Sequence, residues 1–349
     1  MADRVLFHQR YLMSDGRETT FVNRKIGITT TIPVEAVFAA GDTPIDLNNV
    51  FVTAADARSL VERAEIAGYP ANICAWIKGI YTVAIEVRPV DAVIAVTQGD
   101  CSNTHALMET LELRGIPVIP FGFPYDADRD LLRLQIEKLV EALGTSWERT
   151  VQVKRELDPV RKKLRQLDEL TWSSNQITGS ENLLFLVNSS DFEGDWKTYE
   201  QKVDRFLAEV SEGKPIEEGV RIGFVGVPPI FSDLHAVVES FGARIVFNEI
   251  PRQFSMPYRI DDLVEQYVAY TYPYGIFRRI EDITEAVEER NIHALIHYAQ
   301  SFCFRQIEDL ILREKIRVPI LMVEGDKPGP VDARTKVRIQ AFVEMLEGR

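Results

Sequence analysis

Three cysteines, Cys74, Cys101 and Cys303, are the residues of this chain most suited to chemistry. A thiolate can ligate a soft metal or attack an electrophile, and both uses need the deprotonated sulfur. The spacings of 27 and 202 residues contain no Cys-x-x-Cys pair. That excludes a zinc ribbon and a ferredoxin-type ligand run. In a reducing compartment an odd count also speaks against a disulfide framework. Scattered cysteines are by default small buried hydrophobes. Only their places in the fold can raise them above that.

An internal repeat supplies those places. Ala92–Phe121 and Ala294–Val323 align without a gap at an offset of 202 residues. Ala92 meets Ala294, Gln98 meets Gln300, Cys101 meets Cys303 and Pro117 meets Pro319. Upstream, Lys25-Ile26-Gly27-Ile28 resembles Arg221-Ile222-Gly223-Phe224. Each run passes a proline (Pro33, or Pro228 with Pro229) into a helical stretch that ends at glycine, Gly41 or Gly242. Each then continues into another apolar segment, Pro44–Leu47 or Arg244–Phe247.

Continuous apolar runs alternating with amphipathic helices indicate parallel sheets covered on both faces. Each half reads strand, helix, strand, helix, strand, helix, strand. The chain is therefore expected to be α/β, with two duplicated flavodoxin- or Rossmann-like domains joined by a helical segment. The expected bounds are 1–144, 145–218 and 219–349. The joining segment contains expected helices at Lys154–Leu170 and Trp196–Val210, and an apolar run, Leu183–Val187, that the pattern does not place. A last helix, Val331–Leu346, is expected on the second domain.

Ligands of open α/β sheets bind beyond the carboxyl ends of the strands. Cys101 follows the run Ala92–Thr97 and precedes the helical stretch Thr104–Leu113. Cys303 follows Ala294–Ala299 and precedes Gln306–Arg313. Cys74 precedes a helical run reaching about Val87, and its counterpart stretch, Pro273–Phe277, has no cysteine. The positive end of a helix favours thiolate. Two sulfurs from one domain and one from the other can meet in the cleft between them. Three thiolates so placed suit a [4Fe–4S] cluster with one iron free of cysteine, or zinc with an open position. A single low-pKa catalytic cysteine would account for one of the three.

These residues carry a family resemblance. The stretch Pro33–Gly41 with Pro44, the Cys74 segment through Lys78, and Gly99-Asp100-Cys101-Ser102-Asn103-Thr104 all resemble the 2-hydroxyacyl-CoA dehydratase family. So do the Cys303 segment, Val318-Pro319-Ile320-Leu321 with Glu324 and Asp326, and Arg338–Phe342. That family includes the 2-hydroxyglutaryl-CoA dehydratase D-component and the cluster subunits of ATP-dependent benzoyl-CoA reductase. The resemblance implies a [4Fe–4S] cluster on Cys74, Cys101 and Cys303, its fourth iron open to water, hydroxide or substrate. It implies an acyl-CoA substrate, a dimer with a related or identical subunit, and an ATP-hydrolysing iron–sulfur activator that delivers one electron. In the dehydratases that electron makes a ketyl radical of the thioester and water leaves; in the reductases the electrons enter an aromatic ring. A non-catalytic electron-transfer subunit, and a zinc or metal-free binding protein, are the remaining readings. Some relatives add cysteines for a double cubane, and this chain has none to spare.

Other candidates surround this centre. Glu35 and Thr30 are expected as catalytic groups because both lie at the turn after the first strand, with Thr29 and Thr31 beside them. The plain alternatives are an acid in a first helical turn and a capping threonine. His105 can tune a ligand at Cys101, whereas His297 reads as a satisfied core histidine. Asp100 and Asp326 end strands at the same rim. The Tyr267–Tyr274 cluster reads equally as core or as an acyl or partner contact.

The remaining composition sets bounds. The formal net charge of −13 and the absence of a basic stripe argue against nucleic acid. The basic stretch Lys154–Arg165 reads as a solvated helix face. There is no apolar run of membrane-spanning length, and Met1-Ala2-Asp3-Arg4 lacks a signal sequence's apolar region. A cytoplasmic location is the expectation. Neither G-x-G-x-x-G after a first strand nor a Walker A motif occurs, so ATP would belong to the activator.

Overall fold

The computed structural model describes residues 23–348; the chain start, Met1–Arg4, lies outside them. Two four-stranded parallel sheets form the frame. The first holds β1 (Lys25–Ile28), β2 (Thr43–Asp46), β3 (Ala92–Gln98) and β4 (Val118–Gly122), ordered β2-β1-β3-β4. The second holds β5 (Val220–Gly226), β6 (Ala243–Asn248), β7 (Ala294–Gln300) and β8 (Ile320–Gly325), ordered β6-β5-β7-β8. The two orders are the same, and so is the key register, with Ile26 opposite Ala92 and Ile222 opposite Ala294. The expected pair of duplicated α/β units is thus present. Both repeat glycines leave their helices in the left-handed region, Gly41 at φ 78° and Gly242 at φ 86°, where other residues are strained.

In each sheet the winding reverses beside the first strand, between β1 and β3 and between β5 and β7. That is the switch point at which such sheets open a crevice.

Between the sheets, after the helix Arg129–Leu143, the chain runs through three further α-helices: Trp147–Trp172, Gly179–Asn188 and Trp196–Ser211. The apolar run Leu183–Val187 belongs to the second, which starts with a capping box of Thr178 and Glu181. The first is longer than its sequence pattern suggests and corrects the expectation of a solvated basic face in part. Arg155 and Lys162 are exposed, but Lys154 and Arg161 are 1% and 2% exposed. Lys154 Nζ donates to Asp158 and to the Ile260 carbonyl, and Arg161 pairs with Glu35. The helix lies against both halves of the chain, so these two cations meet buried acceptors instead of water.

The halves also interlock. Phe254, Met256, Val264, Tyr267 and Tyr270 share one buried cluster with Ile28, Val96, Phe121 and Phe123 of the first sheet. Glu35 sits at the centre of this junction, fully buried. Its carboxylate takes Arg161 Nη2 at 2.8 Å, Tyr267 Oη at 2.7 Å and Gln266 Nε2 at 2.9 Å. Burial opposes its charge, but Arg161 and these hydrogen bonds prevail and hold its pKa below the ordinary value.

Removing one partner of a buried pair strands the other charge. Arg161→Met is expected to destabilise the chain by roughly 3–5 kcal/mol, seen as a lowered denaturant midpoint. Adding Glu35→Gln to it recovers part of the loss. A midpoint equal to wild type in Arg161→Met would show that the pair holds nothing together.

Candidate functional site

Each cysteine sits at a local start of helical backbone. Cys74 is the N-cap of the Ala75–Thr82 helix, with extended ψ of 131°. Cys303 is the N-cap of the 3₁₀ turn Phe304–Ile307, with ψ 133°. Cys101 precedes Asn103, the N-cap of the Thr104–Leu113 helix. The backbone N–H of the residue two positions on serves each sulfur: Trp76 for Cys74, Asn103 for Cys101 and Arg305 for Cys303. All three thiols are free and line one cavity of about 160 Å³. The first sheet, the second sheet and the Gly179–Asn188 helix all contribute to its wall. Among the described residues no three His, Cys, Asp or Glu side chains gather closely enough to hold one metal ion.

The electrostatics differ from the thiolate-favouring expectation. Burial pushes the Cys74 thiol up to about 12 and the Cys101 thiol up to about 11, and it raises Cys303 as well. The nearby N–H groups lower these values but do not win. Desolvation of a thiolate therefore exceeds the helix-start contribution here. A self-activated nucleophile needs the reverse.

Two acids share the cavity. Asp100 Oδ1 accepts from Tyr272 Oη at 2.8 Å, and the Arg305 guanidinium lies 4.6 Å over the Tyr272 ring. Burial raises the Asp100 pKa in spite of these contacts. Asp46 caps the Leu47–Thr53 helix through Asn48 N at 2.9 Å and accepts from Ser190 Oγ at 2.6 Å. Its own N–H donates to Asp191 Oδ2 at 2.7 Å. Burial raises the Asp46 pKa; burial and then the Asp46 charge push Asp191 up to about 7.

Over residues 29–346 the chain matches the family described as 2-hydroxyglutaryl-CoA dehydratase, D-component. The chain belongs to this family. No curated protein matches it. The matched span includes all three cysteines and every residue lining the cavity. Membership makes the chain a dehydratase-type component.

Not all residues singled out in the sequence face that cavity. Thr29 and Thr30 line it, with Thr29 Oγ1 also accepting from Val96 N at 3.0 Å; Thr31 does not. Glu35 is also absent from the wall, because Arg161, Tyr267 and Gln266 draw its carboxylate into the junction. Tyr272 faces the cavity, whereas Tyr267, Tyr270 and Tyr274 pack around Phe123. His105 is exposed and outside the wall. His297 is buried, its Nδ1 2.9 Å from Asp309 Oδ1, as a satisfied core histidine should be. Asp326 follows directly after β8 and is exposed; its carbonyl accepts from Gln300 Nε2 at 2.8 Å.

The wall includes residues the sequence did not mark: Asp46, Asn48, Asn49, Leu183, Val187, Phe254 and Arg305. Asp46-x-Asn48 had a readable signal, an Asx cap after a strand. Arg305 had one too, at the position of Asn103 in the repeat. Leu183 and Phe254 had none, because only tertiary packing brings them there.

The Asp46–Asp191 pair sets a pH dependence. An unfolded aspartate ionises near about 3.9, but folded Asp191 does so only near about 7. Between these values the folded state binds more protons, so its stability falls as pH rises through the window. Asp191→Asn removes that term. Its thermal midpoint is expected to fall less steeply than wild type between about pH 4 and about 7; parallel slopes would mean that Asp191 ionises normally.

Proposed function

We propose that this chain is the [4Fe–4S]-bearing subunit of a 2-hydroxyacyl-CoA dehydratase-type enzyme. It eliminates water from a CoA thioester by a radical route after one-electron activation from an ATP-hydrolysing partner. The observation that carries the reading is that three cysteines from two duplicated domains face one cavity, each at or just before a start of helical backbone.

Cys74, Cys101 and Cys303 would hold the cluster. When bound, it supplies low-potential one-electron chemistry and one iron position without a protein ligand. The chain's own residues do the remainder. Apolar side chains such as Ile77, Ile80 and Leu183 exclude water from the reacting thioester. Thr30, Asn49 and the Oδ1 of Asn48 present neutral hydrogen-bonding groups for the 2-hydroxyl and the thioester carbonyl. Asp46, held by Ser190 and Asn48, presents to the cavity a carboxyl whose pKa burial raises. In this reading the chain pairs with a related or identical subunit, and the exposed side chains Phe304, Ile307 and Leu310 after Cys303 offer apolar surface for it.

Strictly anaerobic purification followed by metal analysis is the decisive measurement. About four iron and four sulfide per chain are expected, with iron content reduced in each of Cys74→Ser, Cys101→Ser and Cys303→Ser. Stoichiometric zinc, or no metal under anaerobic handling, would overturn the cluster. With iron present, supply of an activator and ATP is expected to yield a 2-enoyl thioester from a 2-hydroxyacyl thioester.

A further inference from the structure

We infer, taking the dehydratase reading above as given, that the acyl group this chain accepts is uncharged and apolar, and not the dicarboxylic acyl in its family's description. The cavity beside the cysteines is walled mainly by Trp76, Ile77, Ile80, Leu183, Val187 and Phe254. These come from three separate parts of the chain, the Ala75–Thr82 helix, the Gly179–Asn188 helix and the end of the Glu249–Phe254 helix. The charged side chains in the wall are Asp46, Asp100 and Arg305.

A second carboxylate on the substrate would meet two acids and one cation. That cation is already committed. Arg305 is 6% exposed; it donates to the Tyr272 carbonyl at 3.0 Å and to Glu308 Oε1 at 3.2 Å, and its guanidinium stacks on the Tyr272 and Phe304 rings. Glu308 in turn pairs with Arg279. A carboxylate entering this space would lose its water with no free cation to replace it, which is the costly case of charge burial. An aliphatic or aromatic acyl group loses nothing there and gains by leaving water. Neutral hydrogen-bonding groups in the wall, Thr30, Asn49 and the Oδ1 of Asn48, suit a 2-hydroxyl and a thioester carbonyl. A site without a partner for an added charge selects against it in binding, not only in rate.

Titration calorimetry on the anaerobically prepared chain tests this without any need for turnover. The ligands are CoA thioesters of 2-hydroxy-4-methylpentanoate, 2-hydroxy-3-phenylpropanoate and 2-hydroxyglutarate. At least one of the first two is expected to bind ten-fold or more tightly than 2-hydroxyglutaryl-CoA. Leu183→Arg, at a half-buried wall position, is expected to close or reverse that gap by supplying the missing cation. Equal or tighter binding of 2-hydroxyglutaryl-CoA by the wild-type chain would overturn the inference and leave the dehydratase reading in place. Binding of none of the three would overturn the dehydratase reading, and the inference with it.

Discussion

The carboxylate of Glu35 is the interaction on which the arrangement of this molecule depends. It lies just after β1, yet its partners come from the joining helix (Arg161) and from the second half (Gln266 and Tyr267). One acid thus ties three parts of the chain at a point with no access to water. Its geometry sets how the carboxyl end of the first sheet faces the second. A close approach nearby adds to the constraint. Gly99 sits at φ 99° in the turn before Cys101, and a Cβ there would lie 2.7 Å from Pro273 Cβ. Only glycine lets the Pro273 segment press against that turn. Cys101 and Cys303 face one cavity because these two contacts dock the halves so tightly.

The cavity shows what helix dipoles can and cannot do. Three cysteines stand at helix starts with N–H groups toward sulfur, the arrangement that favours thiolate in water. In this dry site the thiols are nevertheless raised, Cys74 up to about 12 and Cys101 up to about 11, by burial first. A dipole equivalent to about half a charge is outweighed by the loss of solvent around a whole one. A coordinated cation would ionise such sulfurs, since it deprotonates a thiol outright. In that case the helix starts would contribute by placing the sulfurs, so their value would be geometric.

Much of this was legible in the sequence because duplication left two readings of the same pattern. The shared strand order, the paired glycines at 41 and 242, and the equivalence of Cys101 and Cys303 all follow from aligning the chain with itself. The place of Cys74 followed from helical periodicity alone. The failures have a common physical cause. Glu35 and the Lys154–Arg161 face were judged by their local elements, where an acid in a first turn and a basic helical face belong in solvent. Docking of three units buried them instead, and burial made them pair. Phe254 and Leu183 reach the cavity by the same docking, which no local pattern encodes.

The odd number of thiols can be traced to that docking as well. A duplicated fold invites an even count, and Gly275 occupies the N-cap of the helix before β7 as Cys74 occupies that before β3. Nothing local forbids cysteine at 275. Its backbone, φ −62° and ψ 153°, suits any residue, and the nearest atom to an added Cβ would be Tyr125 Oη at 3.7 Å. Yet position 275 is not part of the cavity wall, whereas Cys74 is. The halves meet off their internal symmetry, with the Tyr270–Tyr274 segment buried in the first half's core. A thiol at 275 would sit beside Tyr125, away from the other three. Three thiols in the cleft, and not four, is therefore what two copies of this domain provide when one is sunk into the other.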